Sequence, residues 1–301
     1  MSQREIIDRK FFIEEELNLA IVKITDDFDM KRIAESGQCF RAAEVRPNIF
    51  RFITREKIVY MKKAGEGKYD VSCSNAEWEK TWVDYFDLTR DYAKIRENIL
   101  NYSSQRPYGD YMKAAIEFGQ GIRILKQEPF ETLISFIISQ RKNIPAIKNS
   151  IEMICGTYGK RMRTEYEAIS TFPGIDILVN ASVFDLSNFA LGYRGPYVRD
   201  AIEKVSSRAV DLEVLHDRRD TDMLDTLQKI RGVGKKIAAC VALYAYHRLN
   251  IMPVDTWIQK AIDEDFSGQN VFYEMSAFAG IVQQYVFYYK RLAEKGYWLV
   301  G

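Results

Sequence analysis

A lysine and an aspartate, 19 residues apart, have side chains that could carry out chemistry together. Lys236 lies at the start of a predicted helix, and Asp255 lies in the segment Met-Pro-Val-Asp-Thr-Trp. An amine held opposite a carboxylate can act as a nucleophile, and the carboxylate can stabilise positive charge that develops nearby. Each residue also has an ordinary explanation, because most lysines are solvated surface charges and an aspartate before a helix commonly caps it.

Two glycines precede Lys236 in a segment that could bind a phosphate. Gly232 and Gly234 flank one apolar residue, between a predicted helix that ends at Ile230 and a second that begins at about Lys235. Glycines leave backbone N–H groups uncovered, and the start of a helix adds N–H donors and partial positive charge. Three basic residues are nearby: Lys229, Arg231 and Lys235. A tight helix–helix turn, in which the glycines permit close packing, explains the spacing equally well.

Length and composition indicate a folded protein with more than one subdomain. The chain has 301 residues, of which 47% are hydrophobic and 28% charged, and a chain of this length can bury a sizeable core. Lys and Arg total 43 against 42 for Asp and Glu. A nucleic-acid site would therefore need its positive charge concentrated in a local patch, and the overall charge neither supports nor excludes DNA binding.

The sequence argues against secretion, membrane insertion and metal binding. Residues 1–12, MSQREIIDRKFF, lack the apolar stretch of a signal peptide, and no apolar run approaches membrane-spanning length. The cysteines have no CxxC spacing, so neither a zinc site nor an iron–sulfur cluster is indicated. We expect a soluble intracellular protein with free thiols, in the cytoplasm of a prokaryote or the nucleus of a eukaryote. The cysteines are Cys39, Cys73, Cys155 and Cys240.

The N-terminal part of the chain predicts short β-strands. Residues 20–24, 49–53 and 58–61 are rich in β-branched and aromatic residues, and the segments between them contain Asp, Pro, Asn and Gly. A helix is predicted near residues 29–35. Together these segments predict a small antiparallel sheet.

From about Asn75 onward the apolar residues recur at helical spacing. Helices are predicted over residues 130–139, 147–158, 198–209 and 275–293, and prolines lie near the first turns of several of them. No strand is predicted in this part. The fold class is therefore predicted to be α+β, with an N-terminal antiparallel sheet subdomain over residues 1–115 and a mostly α-helical domain over residues 116–301.

The glycine turn, Lys236 and the segment Pro253-Val-Asp255 together resemble the signature of the helix–hairpin–helix DNA glycosylase superfamily. In that superfamily the lysine marks members that both excise a base and cut the strand. The resemblance implies that residues 116–301 form a helix–hairpin–helix glycosylase domain in which Lys236 is the nucleophile and Asp255 its partner carboxylate. Three hairpin residues would contact DNA: Gly232, Gly234 and Lys235.

Three further stretches resemble the eukaryotic-type 8-oxoguanine DNA glycosylases. They are Ser36-Gly-Gln-Cys-Phe-Arg41, Leu125-Lys-Gln-Glu-Pro129 with Ser135-Phe-Ile137, and Leu191-Gly-Tyr-Arg194. The resemblance extends from about Asn18 to Arg291. It implies that the partner is double-stranded DNA containing 8-oxoguanine, that the protein is a monomer without membrane association, and that neither a metal nor an organic cofactor is needed.

The resemblance also assigns a pocket for the damaged base. The Gly37 carbonyl would accept the N7 hydrogen that 8-oxoguanine has and guanine lacks, and a site built around one hydrogen bond strongly penalises its absence. Cys240 and Phe287 would sandwich the flipped base, and Gln283 would address its Watson–Crick edge. Residues 283 and 287 share a helix face, but core packing for Phe287 and a surface amide for Gln283 explain them equally without the resemblance.

The implied reaction begins with extrusion of the nucleotide from the base stack. Lys236, once neutral, would displace the base and form a Schiff base with the opened sugar, after which elimination would cut the strand. Asp255 would stabilise the positive charge that develops on the sugar.

The sequence departs from the family at positions that would read the base opposite the lesion. Arg141-Lys-Asn143 stands where the family has three asparagines, Ala146 where it usually has arginine, and Trp257 where it has histidine. We predict a weak preference for cytosine opposite the lesion. The DNA-binding residues implied outside the hairpin are Arg141, Asn143, Tyr193, Arg194 and Trp257. A generic phosphate-facing surface explains Lys142.

Two rival functions stay open at this point. A non-catalytic helix–hairpin–helix module would use the hairpin for phosphate contact alone, which requires neither Lys236 nor Asp255. A glycosylase of another damaged base, such as an alkylated base, would share the architecture. The alkylated-base branch forms no Schiff base, so Lys236 separates it from the 8-oxoguanine branch.

Overall fold

A computed structural model describes residues 20–293 as an antiparallel sheet joined to a larger set of helices. Residues 1–19 and 294–301, among them the start of the predicted N-terminal subdomain and Asn18, lie outside the described residues. The α+β class predicted from the sequence is confirmed.

Five strands form the sheet: β1 (Ala20–Lys23), β2 (Ala43–Arg46), β3 (Ile49–Thr54), β4 (Lys57–Gly65) and β5 (Lys68–Val71). Their order across the sheet is β1-β5-β4-β3-β2, and every neighbouring pair is antiparallel. Short turns join β2 to β3, β3 to β4 and β4 to β5. Asn48 and Arg55 take the positive φ angles of 62° and 53° that such tight turns require.

The sheet packs against helix α1 (Met30–Glu35) and against a helical segment that follows β5. The segment comprises α2 (Asn75–Glu77), the π-helical turn Trp78–Trp82 and α3 (Val83–Tyr85). Phe52 of β3, Trp82 and Phe86 are fully buried, and the rings of Phe52 and Phe86 meet edge to face with centroids 4.8 Å apart. Burial of these large rings gives the small sheet a core of its own.

The rest of the described chain is mostly helical. Its helices are α4 (Tyr92–Ser103), α5 (Gly109–Gly119), α6 (Pro129–Ile138), α7 (Ile144–Tyr158), α8 (Ile175–Leu178), α9 (Val183–Ser187), α10 (Gly195–Ser206), α11 (Asp220–Leu227), α12 (Lys235–Tyr244), α13 (Thr256–Glu264) and α14 (Ala279–Ala293). Three 3-10 turns are Gly192–Arg194, Val214–Asp217 and Val271–Phe278. The helix predicted to end at Ile230 ends at Leu227 and is followed by a turn.

Helices α6 and α12 form the centre of the helical core. From Phe130 to Ile138 every residue of α6 except Glu131 is buried, and so is every residue of α12 from Ile237 onward. A helix that is apolar all round is stable only in the middle of a core. The first turn of α12, which carries Lys236, is the part that reaches the surface.

A two-stranded hairpin, absent from the sequence predictions, lies within the helical part. It comprises β6 (Arg161–Arg163) and β7 (Ala168–Ser170). The hairpin contacts the N-terminal sheet through Glu167, whose carboxylate pairs with Arg51 at 2.7 Å and accepts a hydrogen bond from the Tyr60 hydroxyl at 3.1 Å. The hairpin therefore ties the two parts of the molecule together.

Arg123 is a second tie between the sheet side and the helices. Its guanidinium is fully buried, lies 4.2 Å over the Tyr92 ring, and donates to the Asp26 carboxylate and to the carbonyls of Phe86 and Asp87. A buried cation with this many partners holds the adjoining chain in one position.

Helices α4 and α5 lie before or across the predicted boundary at residue 115, and their apolar side chains pack in the helical core. The division of the chain near residue 115 stays a prediction. Among the described residues no helix is both long and apolar enough to cross a membrane.

Candidate active site

A cleft of about 1300 Å³ opens between the sheet side and the helices. It collects side chains from the turn after α1, from α6, and from the starts of α7, α12 and α13, together with α14. The residues that the sequence analysis assigned to catalysis and to the damaged base all line it: Gly37, Lys236, Cys240, Asp255, Gln283 and Phe287. The fold thus brings together residues that are up to 250 positions apart in the chain.

Lys236 lies in the first turn of α12, immediately after the glycine turn. Its ammonium nitrogen lies 5.5 Å from the centroid of the Phe136 ring, which belongs to α6. Cys240 follows on the same helix face and is buried. Burial raises the pKa of the Cys240 thiol to about 11, although the neighbouring Lys236 acts in the opposite direction. Lys236 is therefore held by an aromatic ring and a neutral thiol at the mouth of the cleft.

Asp255 caps helix α13 and also faces the cleft. Its Oδ1 accepts hydrogen bonds from the backbone N–H groups of Trp257 at 3.0 Å and Ile258 at 2.9 Å. Burial raises the pKa of Asp255, and these two hydrogen bonds together with Lys236 moderate the increase. Because both donors converge on Oδ1, the second oxygen is not needed for the cap. The capping and catalytic interpretations of Asp255 are therefore compatible.

Different structural features explain the presence of glycine at positions 232 and 234. Gly232 has a φ of +81°, and a Cβ at this position would lie 2.3 Å from Cδ2 of Tyr197. Gly234 is extended, and a Cβ there would meet no atom within 4 Å. No described side chain caps the start of α12, so its first N–H groups are available to a ligand such as a phosphate. Close packing explains Gly232, and Gly234 lies at the open helix start.

The glycine turn before α12 is held in place by the Asp200 carboxylate. The Asp200 Oδ2 atom accepts a hydrogen bond from the backbone N–H of Arg231 at 2.6 Å and pairs with Lys204 at 2.8 Å. The Arg231 guanidinium lies 5.5 Å over the Tyr197 ring. These contacts hold the turn before α12 in place and leave its open end facing outward.

The Gly37 turn forms the wall of the cleft opposite α12. Gly37 has a φ of +84°, and a Cβ at this position would lie 3.0 Å from Cε1 of Phe287 and 3.6 Å from Cδ1 of Ile144. Glycine is therefore required both by the backbone conformation and by the approach of the Phe287 ring. The Gly37 backbone and Phe287 are adjacent in the cleft, as the predicted base pocket requires.

Gln283 is buried within the cleft lining but is not fully hydrogen-bonded. Its side chain is 3% exposed, and its Oε1 atom has no hydrogen-bond partner among the described residues. A buried amide oxygen without a partner is unfavourable unless a ligand or water satisfies it. The surface-amide interpretation of Gln283 is therefore wrong, and its contact with a bound base stays a prediction.

Several of the residues predicted to contact DNA have clear structural positions. Arg194 is 8% exposed, and its guanidinium donates to the carbonyls of Gln140, Leu191 and Arg141. It also lies 4.4 Å over the ring of Tyr193, which is exposed. Arg194 therefore shapes the loop that carries Arg141, and its direct contact with DNA stays a prediction.

That loop presents Arg141 to the surface. Arg141 is exposed and has a φ of +48°. The Asn143 side chain caps α7 by accepting a hydrogen bond from the Ala146 N–H at 2.9 Å. Lys142 is half-buried and lines the cleft, and its ammonium group donates to the Ser150 hydroxyl and, at 2.9 Å, to the Ala190 carbonyl. The phosphate-facing interpretation of Lys142 stays a prediction.

Sequence reasoning missed three residues of the cleft. Phe136 lies beside the Lys236 ammonium group, Tyr244 lies at the end of α12, and Arg291 lies 5.3 Å over the Phe287 ring. Phe136 lies within the stretch Ser135-Phe-Ile137 that resembles the family, but nothing in that stretch indicated a contact with Lys236, and Tyr244 and Arg291 look like ordinary core and surface residues. The described residues hold no cluster of three or more His, Cys, Asp or Glu that could bind a metal ion.

Both the sequence and the structure resemble known glycosylases. Residues 20–133 match the family model of the 8-oxoguanine DNA glycosylase N-terminal domain. MBOgg1, solved in complex with a low-affinity DNA ligand, is 35% identical with a TM-score of 0.85, and the match covers 93% of this chain and 98% of that chain. The 8-oxoguanine glycosylase/lyase of Clostridium acetobutylicum, in complex with double-stranded DNA containing cytosine opposite 8-oxoguanine, is 32% identical with a TM-score of 0.84, covering 94% and 98%.

Curated sequences give shorter matches. The N-glycosylase/DNA lyase of Saccharomyces cerevisiae is 33% identical over 159 residues, which are 49% of this chain and 42% of that relative. Across three such relatives, the matched region spans between 42% and 62% of their length.

Proposed function

Since this chain belongs to the family of 8-oxoguanine DNA glycosylase/lyases, we propose that it excises 8-oxoguanine from duplex DNA and then cuts the strand at the resulting site. The observation that carries the proposal is the shared cleft, in which Lys236 and Asp255 lie beside the predicted base pocket. A module that only bound phosphates would need the hairpin but not this pair.

The proposed reaction starts with the damaged nucleotide turned out of the duplex into the cleft, because its sugar carbon is otherwise inaccessible. After the Lys236 ammonium group has lost a proton to solvent, its nitrogen forms a bond to the sugar C1′ while the bond from C1′ to the base breaks. The base leaves with the electron pair and gains a proton that the newly bonded nitrogen releases. Opening of the sugar ring gives a Schiff base. Loss of a C2′ proton then expels the 3′ phosphate, and water releases Lys236.

Asp255 has the electrostatic part in this scheme. Positive charge develops on the sugar as the base departs, and a carboxylate placed beforehand stabilises that charge. The Asp255 backbone position is held by its own cap on α13, so the carboxylate has little freedom to turn away. The free-energy cost of ordering this carboxylate therefore arises during folding and not during the reaction.

Recognition of the base would use the Gly37 turn and helix α14. The Gly37 carbonyl would accept the N7 hydrogen of 8-oxoguanine, and Gln283 would complete the hydrogen bonds of the base with the amide oxygen that lacks a protein partner. Cys240 and Phe287 would lie on its two faces. Arg141, Asn143, Tyr193 and Trp257, with the hairpin residues Gly232, Gly234 and Lys235, would bind the surrounding duplex.

A borohydride trapping experiment tests the proposal. Reduction of a Schiff base links the protein covalently to DNA, so we expect a trapped complex with a duplex carrying 8-oxoguanine and none with matched guanine or uracil duplexes. Lys236→Gln should abolish trapping and base release while retaining DNA binding. Lys229→Gln, which removes an exposed lysine from the same hairpin, is the matched control. Wild-type levels of trapping by Lys236→Gln would exclude Lys236 as the nucleophile.

The proposed substrate implies the setting in which the protein works. Genomic DNA is the partner, so we propose an intracellular location with access to the genome. The protein would act as a monomer, because the cleft is formed within one chain and its proposed catalytic pair comes from α12 and the start of α13.

A further inference from the structure

The backbone turn that carries the Gly37 carbonyl is held by two glutamine side chains. The Gln284 amide group donates to the Ser36 carbonyl at 2.8 Å, and the Gln127 amide group donates to the Gln38 carbonyl at 2.8 Å. Among the described residues none donates to the Gly37 carbonyl between them. The two flanking carbonyls are thus occupied by protein donors, and the middle one is left for a ligand.

The same glutamines are tied to the helix that carries Lys236. The Tyr244 hydroxyl, at the C-terminal end of α12, donates to Gln284 Oε1 at 2.6 Å. The Tyr244 backbone carbonyl accepts a hydrogen bond from the Gln127 N–H at 2.8 Å. Tyr244 also stacks on Phe136, with ring centroids 5.4 Å apart and planes 12° from parallel. Phe136 is the ring beside the Lys236 ammonium group.

Gln284 therefore connects the Ser36–Gln38 turn to α12 through its side chain alone. Its side chain is 1% exposed, and both its amide group and its carbonyl oxygen are hydrogen-bonded. It follows Gln283 on α14, so one helix carries both the proposed reader of the base and the anchor of the turn opposite. Removal of Gln284 would leave the buried Ser36 carbonyl and Tyr244 hydroxyl without these partners.

We propose that Gln284 is a positioning residue for recognition of the oxidised base. It holds the Ser36–Gln38 turn at the distance from α12 and α14 at which the Gly37 carbonyl can accept the N7 hydrogen. The inference rests on the proposed excision of 8-oxoguanine and extends it, because Gln284 does not itself line the cleft.

The geometry explains why one buried amide matters for recognition. Hydrogen bonds weaken steeply beyond about 3.2 Å, so a shift of well under 1 Å in the turn would remove the contact that separates 8-oxoguanine from guanine. The Phe287 ring, 3.0 Å from a Cβ built on Gly37, blocks movement of the turn in one direction. The Gln284 hydrogen bond restrains movement in the other. Lys236 lies in the first turn of α12, about two turns before Tyr244, so the Gln284 hydrogen bonds act on the Gly37 turn more directly than on Lys236.

The test compares two activities of each variant: single-turnover release of 8-oxoguanine, and strand cleavage at a preformed abasic site that contains no base. Gln284→Met keeps the side-chain length but removes both hydrogen bonds. We expect base release to fall about tenfold or more, because loss of the hydrogen bond between the Gly37 carbonyl and the base costs about 1.4 kcal/mol. Cleavage at the abasic site, which uses no such hydrogen bond, should fall much less. Tyr246→Phe is the matched control, because the Tyr246 hydroxyl donates at 2.7 Å to the Leu212 carbonyl, away from the turn.

Two more variants separate positioning from simple destabilisation. Gln284→Glu can donate to the Ser36 carbonyl only when its carboxyl is protonated, so its ratio of base release to abasic-site cleavage should rise as the pH falls. Tyr244→Phe removes one contact of Gln284 and should lower the ratio less than Gln284→Met does. If Gln284→Met fails to fold, these two variants still supply the comparison.

The outcomes distinguish the inference from the function on which it rests. A wild-type protein that releases no 8-oxoguanine would refute the proposed function. A wild-type protein that releases it, with an unchanged activity ratio in all three variants, would refute the positioning role of Gln284. A ratio that falls equally in Tyr246→Phe would also refute it, because any buried hydrogen bond would then have the same effect.

Discussion

Replacing Asp255 separates its two roles, because asparagine and alanine differ in what they preserve. Both cap hydrogen bonds fall on Oδ1, and asparagine offers an oxygen at the same position and is as good a cap as aspartate. Asp255→Asn should therefore keep the cap and lose the charge. Asp255→Ala should lose both.

The two variants should differ in stability by the value of the cap. Loss of a side-chain cap costs about 0.5–2 kcal/mol, which corresponds to a fall in Tm of about 2–4 °C per kcal/mol for a domain of this size class. Burial raises the pKa of Asp255, so the folded protein binds this proton more tightly than the unfolded chain does. The free energy of unfolding therefore decreases as the pH rises from the unfolded-state pKa through the raised folded-state pKa. At neutral pH Asp255→Asn should be at least as stable as the wild type.

The loss of activity should be large in both variants. Removal of one preorganised electrostatic group from an active site typically lowers the rate about 100- to 1,000-fold. We expect a decrease of this order in single-turnover release of 8-oxoguanine. The decrease in Asp255→Asn should occur in a protein that melts no lower than the wild type.

Thermal melts at pH 7 and at about pH 4, beside single-turnover rates, provide the measurement. The wild type should gain stability relative to Asp255→Asn as the pH falls, since protonation removes the unfavourable buried charge. Near-wild-type rates in Asp255→Asn would show that the charge is not needed. An Asp255→Asn protein that melts as low as Asp255→Ala would refute the cap argument.

Three further results are expected. The dissociation constant for duplex DNA should rise steeply with salt although the chain's net charge is only +1, because phosphate contacts release counterions locally; a flat salt dependence would contradict a local basic patch. Release of 8-oxoguanine opposite adenine, guanine or thymine should approach the rate opposite cytosine, because the Ala146 side chain offers no donor and a lost bidentate contact forfeits about 1–3 kcal/mol of discrimination; a strict cytosine preference in single-turnover assays of four duplexes would show that Arg141 or another residue supplies the contact. Gly232→Ala should lower the free energy of unfolding by more than about 1 kcal/mol, since its φ is +81° and Tyr197 lies in the way, whereas Gly234→Ala should change it by less; equal chemical-denaturation midpoints would refute this assignment.

The features predicted well from the sequence are those with local causes. Runs of β-branched and aromatic residues, separated by turn-forming residues, indicated β3 and β4, because such short-range signals depend on residues that are adjacent in the chain. The glycine spacing before Lys236 indicated the turn and the start of α12, since positive φ and an open helix start depend on a few adjacent residues. The short strands β6 and β7 were missed because three residues give no periodicity, and their contact with Arg51 is tertiary.

The burial of individual polar side chains could not be predicted from the sequence. Arg194 looks like a solvated cation in the sequence, yet it is buried and donates to backbone carbonyls of neighbouring segments. Gln283 and Gln284 are identical neighbours, and only the packing of α14 gives one a buried oxygen without a partner and the other two buried partners. The chemistry of a side chain can be read from the sequence, but its hydrogen-bond partners depend on distant segments.

The burial of the cysteines has a consequence for the resistance of the protein to oxidation. All four are free and buried, and burial raises the pKa of the Cys240 thiol to about 11 and that of Cys73 to about 12. Oxidants such as peroxide attack the thiolate, which these residues rarely form at neutral pH. Oxidative stress generates the proposed substrate, and the same oxidants would convert an exposed pocket thiolate to a bulky sulfur acid. A neutral, buried Cys240 lets the cleft keep its shape under the conditions in which oxidised guanine accumulates.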